Sequence, residues 1–160
     1  MGTSSFFLVE RDTYSPDDLL SSVMLASFKS DAMLFYRNEK YFTKENHFKY
    51  TTLSIMYNPD TDENKFLVYI DGVKNEGLEF YNNGQFSGLD PSQSLYQVGC
   101  IEDVYDNEQL LFSFVYEYLK LNPKQYYWLG GYSWIYSWED MKKLKSLPYD
   151  PDWCYKNPIG

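Results

Sequence analysis

Residues 75–119 contain no lysine, arginine or histidine, although this stretch of 45 residues contains eight acidic residues. The acids are Glu76, Glu79, Asp90, Glu102, Asp103, Asp106, Glu108 and Glu117. The whole chain has 160 residues, with 23 acids and 14 bases, so this stretch holds eight of its nine excess negative charges. Like charges repel in a compact fold, whereas a negative field speeds the encounter with a basic partner. We therefore expect the partner to be a basic protein.

Other features that the sequence lacks exclude further classes of function. The net charge of −9 makes binding to nucleic acid or to an anionic membrane unexpected, since both need clustered lysine and arginine. The N-terminal apolar run covers only residues 6–9 and has no basic leader, so we expect neither a signal peptide nor a membrane span. The two cysteines, Cys100 and Cys154, do not have a metal-binding spacing. A reducing, cytoplasmic location is expected, and a single disulfide between them stays open.

The sequence also lacks a catalytic set and a cofactor motif. His47 is the only histidine and lies in a polar stretch, where we expect a surface side chain rather than a general base. Residues 60–64 resemble the start of a calcium loop, but Lys65 replaces the glycine that such a loop needs at position six. Gly130-Gly131 lacks both the lysine of a phosphate loop and the spacing of a dinucleotide motif. We expect no enzyme activity, no metal and no cofactor.

Aromatic residues are abundant, at 20% of the chain, with 17 tyrosines, 11 phenylalanines and 4 tryptophans. Such a composition indicates a folded domain rather than an acidic disordered chain. Residues 126–138 contain seven aromatics, for which three interpretations stay open. They could form a core strand and turn, an exposed protein-contact face that includes Tyr132, Trp134 and Tyr136, or a platform for stacking on sugar rings.

Hydrophobic periodicity predicts a single α+β domain over residues 1–160. We expect an antiparallel β-meander of about four to five strands, packed against two main helices and a short C-terminal helix. The strand-like segments are residues 5–10, 32–36, 50–57, 66–70, 78–81 and 95–101. Helices are predicted after the Ser15-Pro16 cap, over residues 106–121, and after Ser137. We expect residues 1–5 to be a disordered leader and residues 148–160 to be an ordered strap.

A small acidic, aromatic-rich α+β chain with no catalytic set resembles the bacterial immunity proteins that neutralise polymorphic or contact-dependent toxins. The base-free stretch and the aromatic segment at residues 126–138 carry this resemblance. It implies direct binding to a cognate toxin domain, such as a nuclease with a basic cleft. The expected contact residues are Glu102, Asp103, Asp106, Glu108, Asp60, Asp62, Glu63, Tyr132, Trp134 and Tyr136.

Two other functions stay open at this point. One is an adaptor similar to secretion chaperones, although these usually end in a long amphipathic helix, whereas the last helix here is short. The other is a carbohydrate-binding or hydrolytic domain that uses the aromatic segment with a carboxylate pair from the acids at residues 102–108. Those acids could also serve as a hard-metal site, but acids at a helix start more often complement the helix dipole. The oligomeric state is open.

Overall fold

The computed structural model describes residues 3–38, 49–57, 65–73 and 76–159. Within these ranges, three α-helices and one six-stranded antiparallel sheet confirm the predicted α+β class, with slightly more strands than expected. The strands are β1 (Ser5–Glu10), β2 (Met33–Asn38), β3 (Tyr50–Met56), β4 (Lys65–Asp71), β5 (Leu95–Glu102) and β6 (Tyr126–Leu129). The helices are α1 (Pro16–Lys29), α2 (Glu108–Leu121) and α3 (Trp138–Lys145).

The sheet has the order β2-β3-β4-β5-β1-β6. Its first four strands follow one another in sequence and form the predicted meander. The first strand of the chain, β1, then lies between β5 and β6, where Phe7 pairs with Val98 on one side and with Tyr127 on the other. The N-terminal strand is therefore internal to the sheet. The residue before it also contacts the fold, since the Ser4 carbonyl accepts a hydrogen bond from Gly130 N–H at 2.9 Å.

Local capping chemistry sets the helix starts. The Ser15 side chain accepts a hydrogen bond from Asp18 N–H, and Pro16 occupies the first turn of α1. At α3, the Ser137 hydroxyl and the Asp140 carboxylate each accept a hydrogen bond from the other's backbone N–H. The start of α2 differs from the prediction, because the helix begins at Glu108 rather than at residue 106.

The helices cover one face of the sheet and form the main core with it. Alternate residues of β3 and β4 point into this core, among them Leu53, Ile55 and Val68. The ring of Phe7 stacks on that of Tyr118 from α2, with centroids 3.6 Å apart. Fully burying one such side chain contributes about 1.5–3 kcal/mol, so this face supplies most of the hydrophobic stabilisation.

Among the described residues, the second cluster of buried side chains lies on the opposite, or back, face of the sheet, at the end formed by β5, β1 and β6. There Leu8, Phe80, Leu89, Leu95 and Ile135 form a second, smaller core. Residues 79–94 cross the strands at this end as an irregular segment. At the other end of the sheet, the back face of β3 and β4 carries half-buried polar and aromatic side chains, some of which line a groove.

The predicted strand at residues 78–81 is wrong. Glu76–Leu78 is a 3-10 turn, and Glu79 makes only an isolated bridge with Tyr96. The cause lies in the following residues, because the Asn82 side chain donates hydrogen bonds to the carbonyls of Asp90 and Gln93. These bonds fold the chain back as a loop before a strand can extend.

The C-terminal segment 148–159 packs against the start of α2. Trp153 is buried and donates a hydrogen bond from its indole Nε1 to the Glu108 carbonyl at 2.8 Å. Cys154 beside it is also buried, and both it and Cys100 are free thiols. Burial raises the pKa of the Cys154 thiol to about 12.

We predict that the protein loses stability at alkaline pH. Burial raises the pKa of Tyr118, Tyr127 and Cys154 above their ordinary values, so the unfolded state releases these protons first as pH rises. The stabilisation from Cys154 is complete below about pH 8.5 and that from the two tyrosines below about pH 10, and each is lost between that pH and the group's folded-state pKa. Each group lowers the free energy of unfolding by about 1.4 kcal/mol per pH unit in that window. Urea denaturation from pH 7 to 11 measures the slope.

Tyr127→Phe provides the internal test. The Tyr127 hydroxyl is buried and has no hydrogen-bond partner among the described residues. Its removal should leave stability at pH 7 unchanged or raise it by about 1 kcal/mol, and should flatten the loss above pH 10. A large destabilisation at pH 7, or an unchanged alkaline slope, would contradict this account of the core.

Candidate functional site

Three acids of the base-free stretch are engaged by neighbouring groups. Glu79 forms a salt bridge with Arg11 at 3.2 Å. The Asp90 carboxylate accepts hydrogen bonds from the backbone N–H and hydroxyl of Ser92, which hold the pKa of Asp90 below its usual value. Glu108, one of the expected contact residues, accepts a hydrogen bond from the Tyr155 hydroxyl at 2.9 Å and is half-buried. These carboxylates are therefore less available to a partner.

Three other acids lie exposed on the connection between β5 and α2. They are Glu102, Asp103 and Asp106, and we call residues 102–107 the acidic turn. Within the described part of the chain, none of the three forms a salt bridge. The structure thus brings three of the four predicted acids together as uncompensated charge and directs the fourth toward the C-terminal segment.

A buried asparagine fixes the shape of the acidic turn. The Asn107 side-chain amide donates hydrogen bonds to the carbonyls of Asp103 at 2.7 Å and Lys65 at 3.1 Å. Asp103 and Asp106 adopt left-handed φ values of 64° and 66°, a region in which aspartate is enriched. Tyr105 is held between them and is 74% exposed. The turn therefore presents an aromatic ring flanked by two carboxylates in a defined conformation.

A groove of about 290 Å³ on the open back face adjoins the acidic turn at Glu102. Its walls include Tyr50, Tyr69, Asp71 and Cys100. The register explains this grouping, since Tyr69 pairs with Cys100 across β4 and β5, while Tyr50 pairs with Asp71 across β3 and β4. Side chains that are direct cross-strand partners share a face of the sheet.

The chemistry of the groove favours a cation. Its floor offers carboxylates at Asp71 and Glu102, together with the rings of Tyr50 and Tyr69, whose centroids lie 6.0 Å apart. Burial raises the pKa of the Asp71 carboxyl. The pKa of the Tyr69 hydroxyl is also raised, mainly by burial and to a smaller extent by the negative charges of Glu102 and Asp103. Negative potential and aromatic faces both attract a lysine or arginine side chain.

The aromatic segment forms a closed edge of the fold. Tyr127 of β6 and Tyr136 exchange two backbone hydrogen bonds of 2.9 and 2.8 Å around the turn at Gly130-Gly131. Tyr136 is fully buried, and its hydroxyl lies within hydrogen-bond distance of the carbonyls of Trp153 and Lys156, to which it donates. It cannot contact a partner in this conformation, contrary to our expectation, and the core-strand interpretation describes this part of the segment.

The other two expected aromatic contacts are only partly accessible. Tyr132 and Trp134 are half-buried against the main core, and their rings lie 4.6 Å apart. The Trp134 indole Nε1 donates to the Tyr136 hydroxyl. The remaining expected contacts, Asp60, Asp62 and Glu63, lie outside the described residues, as does His47.

Sequence reasoning missed Tyr69, Asp71 and Tyr105 as members of the site. Tyr69 and Asp71 face the groove because they alternate with the buried residues of β4, a pattern that strand periodicity contains. For Tyr105, the pattern Asp103, Asp106, Asn107 was the available indication, since Asp and Asn favour turns and left-handed conformations. Only the pairing of β4 with β5 places the groove beside the turn.

Over the described ranges, no three His, Cys, Asp or Glu side chains are grouped as a metal site would require. The helices within these ranges are all too short or too polar to cross a bilayer. Comparison with protein-family models, curated proteins and solved structures gave no match. The geometry of the acidic turn and the groove is therefore the basis for a functional proposal.

We predict that Asn107→Ala destabilises the protein by about 1–3 kcal/mol, because carbonyls of the acidic turn lose their buried donor. Asn107→Asp, which keeps the size but lacks the donor, should cost at least as much. Urea denaturation measures the loss, and hydrogen exchange should show faster exchange at residues 103–107. Asn83→Ala, in an exposed loop, is the control and should change stability by less than about 0.5 kcal/mol. Equal effects of the Asn83 and Asn107 variants would contradict the role given to Asn107.

Proposed function

We propose that this chain is a non-catalytic protein that binds and neutralises a basic protein, as bacterial immunity proteins do with their toxins. The observation that carries the proposal is the acidic turn, where three exposed carboxylates that form no salt bridge with a described residue lie on a turn held by the hydrogen bonds of Asn107. Charge retained without compensation on a folded surface does not help folding, because it adds self-repulsion. Its benefit lies in association with a surface of opposite sign.

The arrangement supports both fast association and slow dissociation. Unpaired carboxylates steer a basic partner over a distance set by the ionic strength. Tyr105 then offers an exposed aromatic anchor between two of these charges, and tyrosine is enriched among residues that dominate interface energies. Because Asn107 already fixes the turn, little conformational entropy is lost on binding.

The groove supports a more specific mode of recognition. A lysine or arginine of the partner, placed beside Glu102, can enter between Tyr69 and Asp71. Its charge would then be matched by carboxylates in a partly desolvated site, where electrostatic attraction is stronger than at the surface. A nuclease cleft carries such bases for its phosphate substrate, so a toxin of that class is the partner we propose.

The test compares two variants that change the net charge equally. The first combines Glu102→Gln, Asp103→Asn and Asp106→Asn, since asparagine tolerates the left-handed conformation that lysine would strain. The second neutralises three exposed acids elsewhere, through Asp12→Asn, Asp31→Asn and Asp152→Asn. Both are immobilised beside the unmodified chain and exposed to lysates of bacteria that encode secreted toxins, at low salt, and the retained proteins are identified and then purified.

We expect the unmodified chain and the second variant to retain a basic protein that the acidic-turn variant loses. With the purified partner, neutralising the turn should lower the association rate roughly tenfold or more at about 0.01 M salt. The difference should largely vanish near 1 M, where the Debye length is about 3 Å. Inhibition of the partner's toxicity should be lost in the same variant. Equal retention by both variants would rule out the acidic turn as the contact.

A further inference from the structure

The two edges of the sheet are treated differently by the chain. At the β6 edge, the returning segment covers the strand, since Tyr127 and Tyr136 exchange backbone hydrogen bonds. The Trp128 indole Nε1 also donates to the Tyr132 carbonyl at 2.9 Å. At the other edge, β2 pairs with β3 and with no other strand of the described chain. The β6 edge is thus partly covered, whereas no strand among the described residues pairs with the outer side of β2.

Within the described chain, the β2 edge carries few of the features by which proteins usually protect such strands, and Arg37 is its only charged residue. The sequence of β2, MLFYRN, contains no proline, glycine or lysine, and its register with β3 is regular over all six pairs. Apolar side chains on both sides of the strand are exposed, with Phe35 at 52% on the back face and Tyr36 at 69% on the helix face. Met33 adds a further 45%. A regular edge of this kind is a template for pairing with another strand.

We propose that β2 pairs in antiparallel fashion with β2 of a second copy, so that two chains form one continuous sheet about a two-fold axis. Charge supports this occupant. The only charged residue of β2 is Arg37, and its neighbour β3 (Tyr50–Met56) is uncharged, so the paired strands themselves bring no acids together between two chains of net charge −9. Arg37 also disfavours a basic strand, which separates this edge from the acidic turn as a contact surface.

The alternation of side chains restricts how the two strands can align. Direct partners in an antiparallel pair must point to the same face, so a symmetric pair centres on either Phe35 or Tyr36. In the first register, the two Phe35 rings lie side by side and Arg37 faces Met33 of the second copy. In the second, Arg37 faces Phe35 of the second copy, in position for a cation–π contact. Both registers cover apolar side chains on each face.

This pairing would place two acidic turns on the same side of one sheet. Phe35, Ser54, Leu67 and Glu102 form one cross-strand row on the back face. A two-fold axis perpendicular to the sheet keeps the back faces together. Seven strand spacings of about 4.8 Å then separate the two Glu102 residues, or roughly 34 Å. The dimer would offer two equivalent contact sites to a dimeric or extended partner.

Sedimentation equilibrium of the 160-residue chain tests the proposal, with three variants. We expect a concentration-dependent dimer for the unmodified chain. Phe35→Lys and Tyr36→Lys place a charge on either face of the edge and should each weaken the dimer at least tenfold. Tyr81→Lys is the matched control, because Tyr81 is 81% exposed but lies outside the strands, and it should leave the dimer unchanged.

Two results would overturn the proposal. One is a chain that stays monomeric up to about 100 µM, well above the micromolar range in which a specific dimer forms. The other is a dimer that Phe35→Lys and Tyr36→Lys leave intact. Such a dimer would have its interface on a surface other than the β2 edge. Far-UV circular dichroism verifies that each variant is folded. Tyr36→Lys is the variant less able to disturb the monomer, because Tyr36 is more exposed than Phe35.

Discussion

The fold depends on β1 being apolar toward both faces of the sheet. Phe7 points to the helices and stacks on Tyr118, whereas Leu8 points the other way into the second core. A central strand of this kind requires a cover on each side, because burial of only one face would leave the other in water. The helices supply one cover and residues 79–94 the other. This second cover spans only part of the sheet, and no other described segment forms a core on the rest of the back face.

The proposed contact surfaces follow from where that second cover ends. The groove lies on the uncovered part of the back face, and the acidic turn continues from its Glu102 side. The β2 edge lies three strands further, at the far end of the meander. Core formation thus fixes both surfaces, and the distribution of charge separates them: acids gather at the β5–α2 connection, while β2 and β3 have no acid. The molecule has two faces of different chemistry on one support.

Local chemistry was sufficient to predict much of the fold, while contacts between distant residues were not predictable. The caps at Ser15 and Ser137 and the alternation in β3 and β4 are short-range patterns, and they gave the helices and strands correctly. The failure at residues 78–81 came from hydrogen bonds of Asn82 to residues eight and eleven positions away. Likewise, Tyr136 was expected to be a contact residue, but its ring is buried and its hydroxyl donates a hydrogen bond to the carbonyl of the distant Trp153. The acids were found from composition, and only strand pairing placed Tyr69 beside them.

The position of β1 also bears on how the chain acquires its structure during synthesis. Ser5 is translated well before its partners Ile101 and Leu129. Pairings between such distant residues form slowly, because closing a long loop costs conformational entropy before any stabilising contact forms. Until β6 has emerged, the apolar β1 has only a partial sheet to join, and the nascent chain depends on transient protection from aggregation. The six-stranded sheet can therefore be completed only after β6 has been translated.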